Sequence, residues 1–203
     1  MQIEMNGLSA NKVYYTFIQT IIPRPVAWVL SDNGDGSLNL APFSYFNGVA
    51  SDPPVIMLSI GKKPDGSLKD TRLNIIERKS FVVHLPHREW AEKVTASSAV
   101  LKHGDSELLR SGLETIKDRD FPLPRLRECR IAFYCSLFAV HEIGTVPQAL
   151  ILGEVEAIYL DDAVASLNEG RLTVDALQVD PLSRLGGEDY GLLGEVITVK
   201  RPG

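Results

Sequence analysis

Runs of apolar residues separated by turn-forming residues dominate the first third of the chain. Two largely apolar runs within residues 25–43 flank a stretch at 32–36 that is rich in Asp, Asn and Gly. Strand-like runs joined by such turn chemistry predict a β-hairpin over residues 25–43. The small and polar residues 44–51 predict a loop, and the apolar run 55–60 predicts a third strand that is buried on both faces.

The remainder of the chain mixes short helical patterns with longer strand-like runs. Residues 69–78 carry apolar positions at helical spacing, and Ser67 and Asp70 have the separation of a capping box, so a helix is predicted there. Residues 99–124 are polar and contain proline, which predicts an excursion with short helical turns. The other predicted elements are an amphipathic helix at 87–98 and strands at 80–85, 130–141 and 149–160.

These elements favour an antiparallel, mainly β fold over other classes. The strands occur mostly in neighbouring pairs with helices inserted between the pairs, and strand and helix do not alternate regularly. A doubly wound parallel sheet requires that alternation, so we predict a closed or partly open barrel of about six strands with flanking helices. No internal repeat or linker divides the sequence, and residues 1–203 are therefore predicted to form a single domain.

Composition and charge narrow the classes of partner. The chain has 203 residues, of which 44% are apolar and 23% charged, as is ordinary for a globular protein. Its formal net charge of -5 argues against a nucleic-acid partner, because phosphate binding requires a basic surface. No signal peptide and no apolar run of about 20 residues is present, so a cytoplasmic location without membrane association is expected. Cys129 and Cys135 are expected to be reduced and buried.

Most motifs for catalysis by protein side chains are absent. The sequence has no glycine-rich dinucleotide loop, no triphosphate loop and no nucleophile elbow. Its four histidines are scattered along the chain, and His84 and His87 flank a proline, so no metal site is predicted. The sequence therefore assigns no catalytic residue.

Residues 39–45 form the first of three segments that suit a flat ring or an anion. Small residues and a proline at a strand end leave backbone N–H groups free for a ligand. Asn39 and Ser44 would add side-chain hydrogen bonds, and Tyr45 or Phe46 would cover a ring. The alternative is an ordinary strand end with a turn.

The second segment combines a strand end at residues 59–61 with a helix start at Lys69. A helix N-terminus carries free N–H groups and a partial positive charge. The hydroxyls of Ser59 and Thr71 would complete a site for a phosphate monoester. An ordinary capped helix is the alternative.

The third segment lies late in the chain, where Arg184 precedes the paired glycines at 186–187 and Tyr190 follows. Paired glycines permit unusual backbone angles or a close approach, and the arginine beside them would reach a ligand. A surface turn is the alternative explanation for this segment.

Several motifs together resemble the flavin reductase-like family, which includes flavoredoxin and the reductase-like component of nitrilotriacetate monooxygenase. The resemblance covers nearly the whole chain and rests on the set of motifs in order, not on any single one. The motifs are Ile-Pro-Arg-Pro-Val-Ala-Trp-Val at 22–29, Asn-Leu-Ala-Pro-Phe-Ser at 39–44, Asp-Pro-Pro at 52–54, Ser59, Lys-Asp-Thr at 69–71 with Asn74 and Phe81, and the segment 181–190.

This resemblance implies an FMN-binding split β-barrel of Greek-key-like antiparallel strands, usually a homodimer with flavin near the interface. It implies flavin reduction by hydride transfer from NAD(P)H to flavin N5, with FAD or riboflavin as other flavin substrates and a monooxygenase as a partner. The alternatives are a flavoredoxin-like electron carrier with bound FMN, or a non-catalytic flavin-binding or structural protein. The residues implied are Asn39, Ala41, Phe43, Ser44 and Tyr45 for the isoalloxazine ring, Ser59, Ile60, Gly61, Lys69 and Thr71 for the ribityl phosphate, and Arg24 and Arg184 for flavin or interface contacts.

One motif departs from the family pattern. Many members carry Gly-Asp-His before a strand that ends in Gly-Glu-Val. Here that strand ends in Gly-Glu-Val at 153–155, but residues 144–148 are Gly-Thr-Val-Pro-Gln. The histidine expected near the ring or the nicotinamide is therefore missing, and His141 is a candidate substitute. The resemblance thus implies flavin binding more firmly than it implies reduction by NAD(P)H.

Overall fold

The computed structural model describes residues 1–99, 106–145 and 148–202. The strands in these ranges are β1 (Arg24–Pro25), β2 (Ala27–Asp32), β3 (Leu38–Phe43), β4 (Phe46–Ser51), β5 (Pro54–Ile60), β6 (Ser80–His84), β7 (Thr115–Ile116), β8 (Arg125–Leu126), β9 (Ile131–Ile143), β10 (Gln148–Leu160), β11 (Ala165–Asn168), β12 (Arg171–Val174), β13 (Ser183–Arg184) and β14 (Tyr190–Gly191). The helices are α1 (Ala10–Thr20), α2 (Asp70–Arg78), α3 (Ala91–Ala96), α4 (Glu107–Ser111) and α5 (Ala176–Val179), with a 3-10 turn at Arg88–Trp90.

Seven strands of the described chain form one antiparallel sheet in the order β3-β2-β6-β9-β10-β5-β4. The edge strands β3 and β4 are joined by only Ser44 and Tyr45, so the sheet curls until its two edges meet at that corner. Irregular pairing between β9 and β10, at Leu152/Gly153 and at Val155/Ala157, adds local twist. The mainly β antiparallel barrel is therefore confirmed, with seven strands in the sheet instead of about six.

Both faces of β2 are buried, which explains the unbroken apolar run at its start. Ala27 and Val29 belong to one core cluster, to which α2 contributes Ile75. Trp28 and Leu30 belong to a second cluster, which α3 and α4 cover from the other side. Successive strand residues point to opposite faces, so a strand covered on both faces is apolar at consecutive positions.

The predicted β-hairpin is confirmed, with β2 and β3 pairing from Ala27 opposite Phe43 to Asp32 opposite Leu38. The Asp32 carboxylate accepts a hydrogen bond from the backbone N–H of Gly34 at 2.7 Å, which closes the turn. Gly34 has a φ of 84°, a backbone conformation that favours glycine. The strands predicted at 55–60, 80–85, 130–141 and 149–160 are also present as β5, β6, β9 and β10.

Two predicted elements are wrong, and helices α1 and α5 were not predicted. Residues 46–51 pair with β5 as an edge strand instead of forming a loop, although most of their side chains are exposed. The helix predicted at 87–98 divides at Trp90, which has a φ of -97° and a ψ of 3° and packs edge-on against Trp28. The longer unpredicted helix is α1, which Ser9 caps by accepting a hydrogen bond from the Lys12 N–H.

A segment late in the sequence pairs with β1, which precedes the hairpin. Strands β1, β13 and β14 form a small sheet in which Arg24 lies opposite Arg184. Cys129 and Cys135 are buried and form no disulfide, as predicted. No helix in the described ranges is both long enough and apolar enough to cross a membrane.

Candidate functional site

Three adjoining hollows open along the end of β3, and Pro42 and Phe43 line all three. They hold about 500, 730 and 1280 Å³ of empty space, a volume that includes open solvent. We name them by what surrounds them. The helix hollow is lined by Asn39, Ala41, Lys69 and Thr71, the middle hollow by Ser44, Tyr45, Ser59, Gly61 and Gln148, and the tail hollow by Tyr14, Ser44, Arg184 and Tyr190.

The N-terminus of α2 faces the helix hollow without a side-chain cap. Its N-cap residue is Lys69, and no side chain there accepts a hydrogen bond from the helix. The predicted capping box is therefore wrong, because the Ser67 hydroxyl donates to Asp65 at 2.6 Å instead. Asp70 is paired with Lys63 at 3.0 Å, which offsets its negative charge. Because the N-cap side chain accepts no hydrogen bond from α2, this helix N-terminus suits an anion.

The Lys69 ammonium lines both the helix and the middle hollows. It stands 5.5 Å from the centroid of the Phe43 ring, and no carboxylate of the described residues forms an ion pair with it. Burial lowers the pKa of Lys69, because the desolvated ammonium is disfavoured. An anionic ligand placed here would remove that penalty.

Thr71 is held in place by a buried amide. Its Oγ1 accepts a hydrogen bond from Asn39 Nδ2 at 2.8 Å, and the same nitrogen donates to the Ser31 hydroxyl at 3.1 Å. Thr71 and Asn39 are only 1% and 3% exposed, respectively. Since Oγ1 already accepts from Asn39, the Thr71 hydroxyl proton is directed elsewhere and can be donated to a ligand. Asn39 is therefore better described as positioning Thr71.

The middle hollow contains a buried hydroxyl without a partner. Tyr45 Oη makes no hydrogen bond to any residue that the structure describes, and burial raises the pKa of Tyr45, so the group is a neutral donor. Its main-chain carbonyl accepts from the Ser59 N–H at 2.9 Å, which joins the first two predicted segments. Ser44 Oγ accepts from Arg24 Nε at 3.2 Å and is thereby oriented.

Four further predicted residues differ in what they present to the cleft. Gly61 lies against Gln148, since a Cβ on Gly61 would stand 3.1 Å from Gln148 Oε1. The Ile60 side chain is fully buried in the core, so only its backbone is left for a ligand. Arg24 is 4% exposed and fully engaged inside the protein, whereas Arg184 lines the tail hollow.

Several lining residues were missed because nothing in their local sequence marks them. Gln148 is the exception, since it occupies the stretch where the family pattern has its histidine; residues 146–147 of that stretch lie outside the described ranges. Burial raises the pKa of Glu107, which accepts a hydrogen bond from the Leu40 N–H. The missed residues include Tyr14, Ile18, Lys63, Ser97, Ser98, Glu107 and Gln148, whereas Tyr190 belongs to the third predicted segment and does line the tail hollow.

The described residues contain no group of three or more His, Cys, Asp or Glu side chains that could hold a metal ion. His84 is instead a core residue, and His103 lies outside the described ranges.

Comparison with known proteins places the chain among flavin-related proteins. Residues 19–173 match the model of the flavin reductase like domain. The chain is 35% identical over 203 residues to the uncharacterized protein YwrF of Bacillus subtilis, which covers 98% of both chains. That relative is close in length as well as in sequence.

Three solved structures are similar over nearly the whole chain. Nitrilotriacetate monooxygenase component B from Bacillus cereus is 33% identical with a TM-score of 0.89 and 98% coverage of both chains. The 2-nitrobenzoate 2-nitroreductase of Pseudomonas fluorescens is 29% identical with a TM-score of 0.87, covering 100% of this chain and 96% of that one. A split-barrel protein from Shewanella frigidimarina has a TM-score of 0.85 at 18% identity over 100% of both chains, which shows the fold alone.

Proposed function

Because the chain belongs to the flavin reductase-like domain family, we propose that it binds FMN in this cleft and acts as an NAD(P)H-dependent flavoprotein oxidoreductase. The observation that carries the proposal is the Lys69 ammonium, which is desolvated and lies beside the uncapped N-terminus of α2. Such a place suits a phosphate, and the adjoining hollows are large enough for the remainder of a flavin.

The donor set fits FMN from one end to the other. Lys69, the Thr71 hydroxyl and the first N–H groups of α2 would hold the phosphate. Ser59 and Gly61 line the middle hollow, where the ribityl chain would pass. Ala41, Phe43, Ser44 and Tyr45 would surround the ring, and the orphaned Tyr45 hydroxyl would gain a hydrogen-bond acceptor.

Bound FMN would supply the redox chemistry, by accepting a hydride from NAD(P)H at N5 and passing electrons to an acceptor. The protein would bind and orient the flavin, so this chemistry does not require a catalytic acid–base pair of side chains. Ser44 has its Oγ occupied as an acceptor from Arg24, which leaves its proton available to a ligand on the cleft side. A monooxygenase that consumes the reduced flavin is the partner we propose, by analogy with the relative named as a monooxygenase component.

We also propose that the chain is a single domain that works as a homodimer. Helix α1 has no buried residue, and its apolar side chains Tyr15 and Phe17 are 63% and 41% exposed. Apolar groups exposed side by side favour a protein partner. Tyr14 of the same helix lines the cleft, so a second copy packed on α1 would also close one wall of the site. Sedimentation of the purified protein tests this, and a monomer at micromolar concentration would contradict it.

The test of FMN binding compares Lys69→Met with Lys117→Met. Lys117 is an exposed lysine that lines none of the three hollows, so its variant controls for the loss of one positive charge. We expect Lys69→Met to weaken FMN binding about tenfold or more, the usual effect of losing a hydrogen bond to a charged group. Riboflavin lacks the phosphate, so its affinity should change little. The measurement is flavin fluorescence quenching on titration.

Equal losses of FMN and riboflavin affinity would place the phosphate elsewhere, and failure of the native protein to bind FMN would overturn the proposal. Oxidation of NADH or NADPH by the FMN-loaded protein then decides the electron donor. Fast turnover with free flavin supports a reductase, whereas slow turnover with tightly retained FMN supports an electron carrier.

A further inference from the structure

The tail hollow is a second compartment beside the ring-binding segment. It shares Tyr14, Pro42, Phe43 and Ser44 with the middle hollow, yet Thr95, Arg184 and Tyr190 in its remaining walls come from distant parts of the chain. Its empty space of about 1280 Å³ is the largest of the three hollows. A ligand in this compartment would lie against the proposed flavin ring rather than replace it.

Two arginines stand directly opposite each other next to the tail hollow. Arg24 in β1 and Arg184 in β13 are cross-strand partners, and like charges in that position repel. Arg24 is buried, and its guanidinium reaches only neutral acceptors: the carbonyl oxygens of Ile18 at 2.7 Å, Ile21 at 2.6 Å and Leu185 at 3.0 Å, and Ser44 Oγ at 3.2 Å. Polar protein groups therefore surround the positive charge of Arg24, but no carboxylate among them neutralises it.

Arg184, on the cleft side, also donates its hydrogen bonds to neutral acceptors. Its guanidinium donates to the carbonyl oxygens of Gly187 at 2.7 Å and Glu188 at 3.4 Å. Neither arginine forms an ion pair with a carboxylate in the described ranges. Electrostatic repulsion from Arg184 contributes to the lowered pKa of Arg24, after the larger effect of burial. An anion in the tail hollow would relieve this repulsion.

Two tyrosine rings line the tail hollow together with the Arg184 guanidinium. The Arg184 Cζ lies 4.7 Å from the centroid of the Tyr190 ring, and the Tyr190 hydroxyl hydrogen-bonds to Thr95 Oγ1 at 3.0 Å. Tyr14 forms another wall and is 49% exposed. A fixed ring and a guanidinium in contact recognise a ligand whose own ring and negative charge are adjacent.

We propose that the tail hollow binds a planar aromatic carboxylate, with its carboxylate on Arg184 and its ring beside Tyr14 and Tyr190. A carboxylate fits the forked donors of a guanidinium. Because Arg184 and Tyr190 are in contact, a ligand whose charge is attached directly to its ring can reach both of them at once. A nicotinamide dinucleotide fits less well, because a ribose separates its ring from the charged pyrophosphate. The proposal rests on the proposed function, since it places the ligand beside the flavin ring as an electron acceptor or effector.

Substitution of Glu188 gives a matched variant in which the charge changes in the direction opposite to that of an Arg184 substitution. It also lines the tail hollow, and its side chain is exposed. Its negative charge opposes an anionic ligand, so Glu188→Gln should strengthen binding of the ligand, while Arg184→Gln should weaken it. The two variants differ in charge change and lie four residues apart on one turn, so a general effect of altering this turn would not give opposite signs.

The experiment is a calorimetric titration of the FMN-loaded protein with benzoate and with benzamide, its neutral isostere. We expect benzoate to bind, benzamide to bind at least about tenfold more weakly, and Arg184→Gln to abolish that preference. Glu188→Gln should raise benzoate affinity two- to threefold. Perturbation of the flavin absorbance by benzoate reports that the ligand lies beside the ring, independently of turnover.

Several other outcomes overturn the inference, and one overturns the proposed function instead. Equal affinity for benzoate and benzamide would mean that the arginine pair does not select charge. Displacement of FMN by benzoate, or loss of FMN affinity in Arg184→Gln as large as the loss of benzoate affinity, would assign Arg184 to the flavin instead. If the protein bound benzoate in the same charge-selective manner without retaining FMN, the proposed function would fail while the carboxylate site stood.

Discussion

Acidification should destabilise this protein through one buried histidine, His84. Its side chain is fully buried in β6, Nδ1 lies 3.1 Å from the Trp28 carbonyl oxygen, and Nε2 accepts from the Leu126 N–H at 3.0 Å. One proton on Nδ1 satisfies both contacts. A second proton on Nε2 would point at the Leu126 N–H, and burial together with the nearby Arg125 also disfavours the charge. These effects lower the pKa of His84 from 6.5 to about 4.

The sign and the size of the effect follow from that pKa. Unfolded chains protonate histidine near pH 6.5, whereas the folded protein resists protonation until about pH 4, so the free energy of unfolding falls as pH falls across this window. A shift of that size corresponds to about 3 kcal/mol in full, of which about 2 kcal/mol is lost between pH 7 and pH 5.

Urea unfolding at pH 7, 6 and 5, followed by tryptophan fluorescence, measures this loss. His84→Gln is the matched variant, because its amide oxygen can accept from the Leu126 N–H but does not titrate. The variant should be less stable at pH 7 and should lose about 2 kcal/mol less than the native protein on going to pH 5. Carboxylates such as Glu107 titrate in both proteins and cancel in the difference.

Parallel pH profiles of the two proteins would refute this reasoning. If His84→Gln fails to fold, the imidazole resonances of the native protein decide the matter. Their shifts should not change for His84 between pH 7 and pH 5, and a titration midpoint near 6.5 would show that the ring is not confined as described.

Two other predictions concern packing and the cleft. Gly153→Ala should cost about 1–3 kcal/mol in urea unfolding, because a Cβ at this position would overlap the fully buried Phe81 ring, and Gly194→Ala, with open space around it, is the control. Tyr45→Phe should leave the flavin-free protein as stable or slightly more stable, since it removes a buried hydroxyl without a partner, while FMN affinity falls several-fold; a clear loss of stability without flavin would mean that the hydroxyl has a protein partner.

How far the sequence determined the fold depends on whether an element's own residues carry its signal. The β2–β3 hairpin was predictable because Asp32 and Gly34 encode the turn and the flanking residues are buried on both faces. Strand β4 was not, because its side chains are exposed and its conformation comes from hydrogen bonding to β5. Helix α1 was not predicted, although Ser9 caps its start and its apolar side chains lie on one face; none of its residues is buried in the core.

The residues of the candidate site can likewise be divided into those that their own sequence marks and those that it does not. Residues 39–45, 59–61 and 69–71 were predictable because their composition departs from that of ordinary strands and helices, and the structure brings these segments to one cleft. Arg24 illustrates the limit, since its guanidinium donates to three carbonyl oxygens and Ser44, and no local sequence signal indicated these contacts. A motif identifies a residue that matters, but only the fold decides whether its polar atoms face a ligand or the protein.

The tail hollow shows why charge balance must be judged in three dimensions. In the sequence, Arg24 and Arg184 are 160 positions apart, and the overall net charge of -5 gives no hint of a local positive site. Pairing of β1 with β13 places the two arginines opposite each other, and neither forms an ion pair with a carboxylate in the described ranges. Repulsion of this kind costs stability, and a ligand that offsets it binds more tightly for that reason. This pairing is why we propose a preference for anions in the tail hollow although the overall composition is acidic.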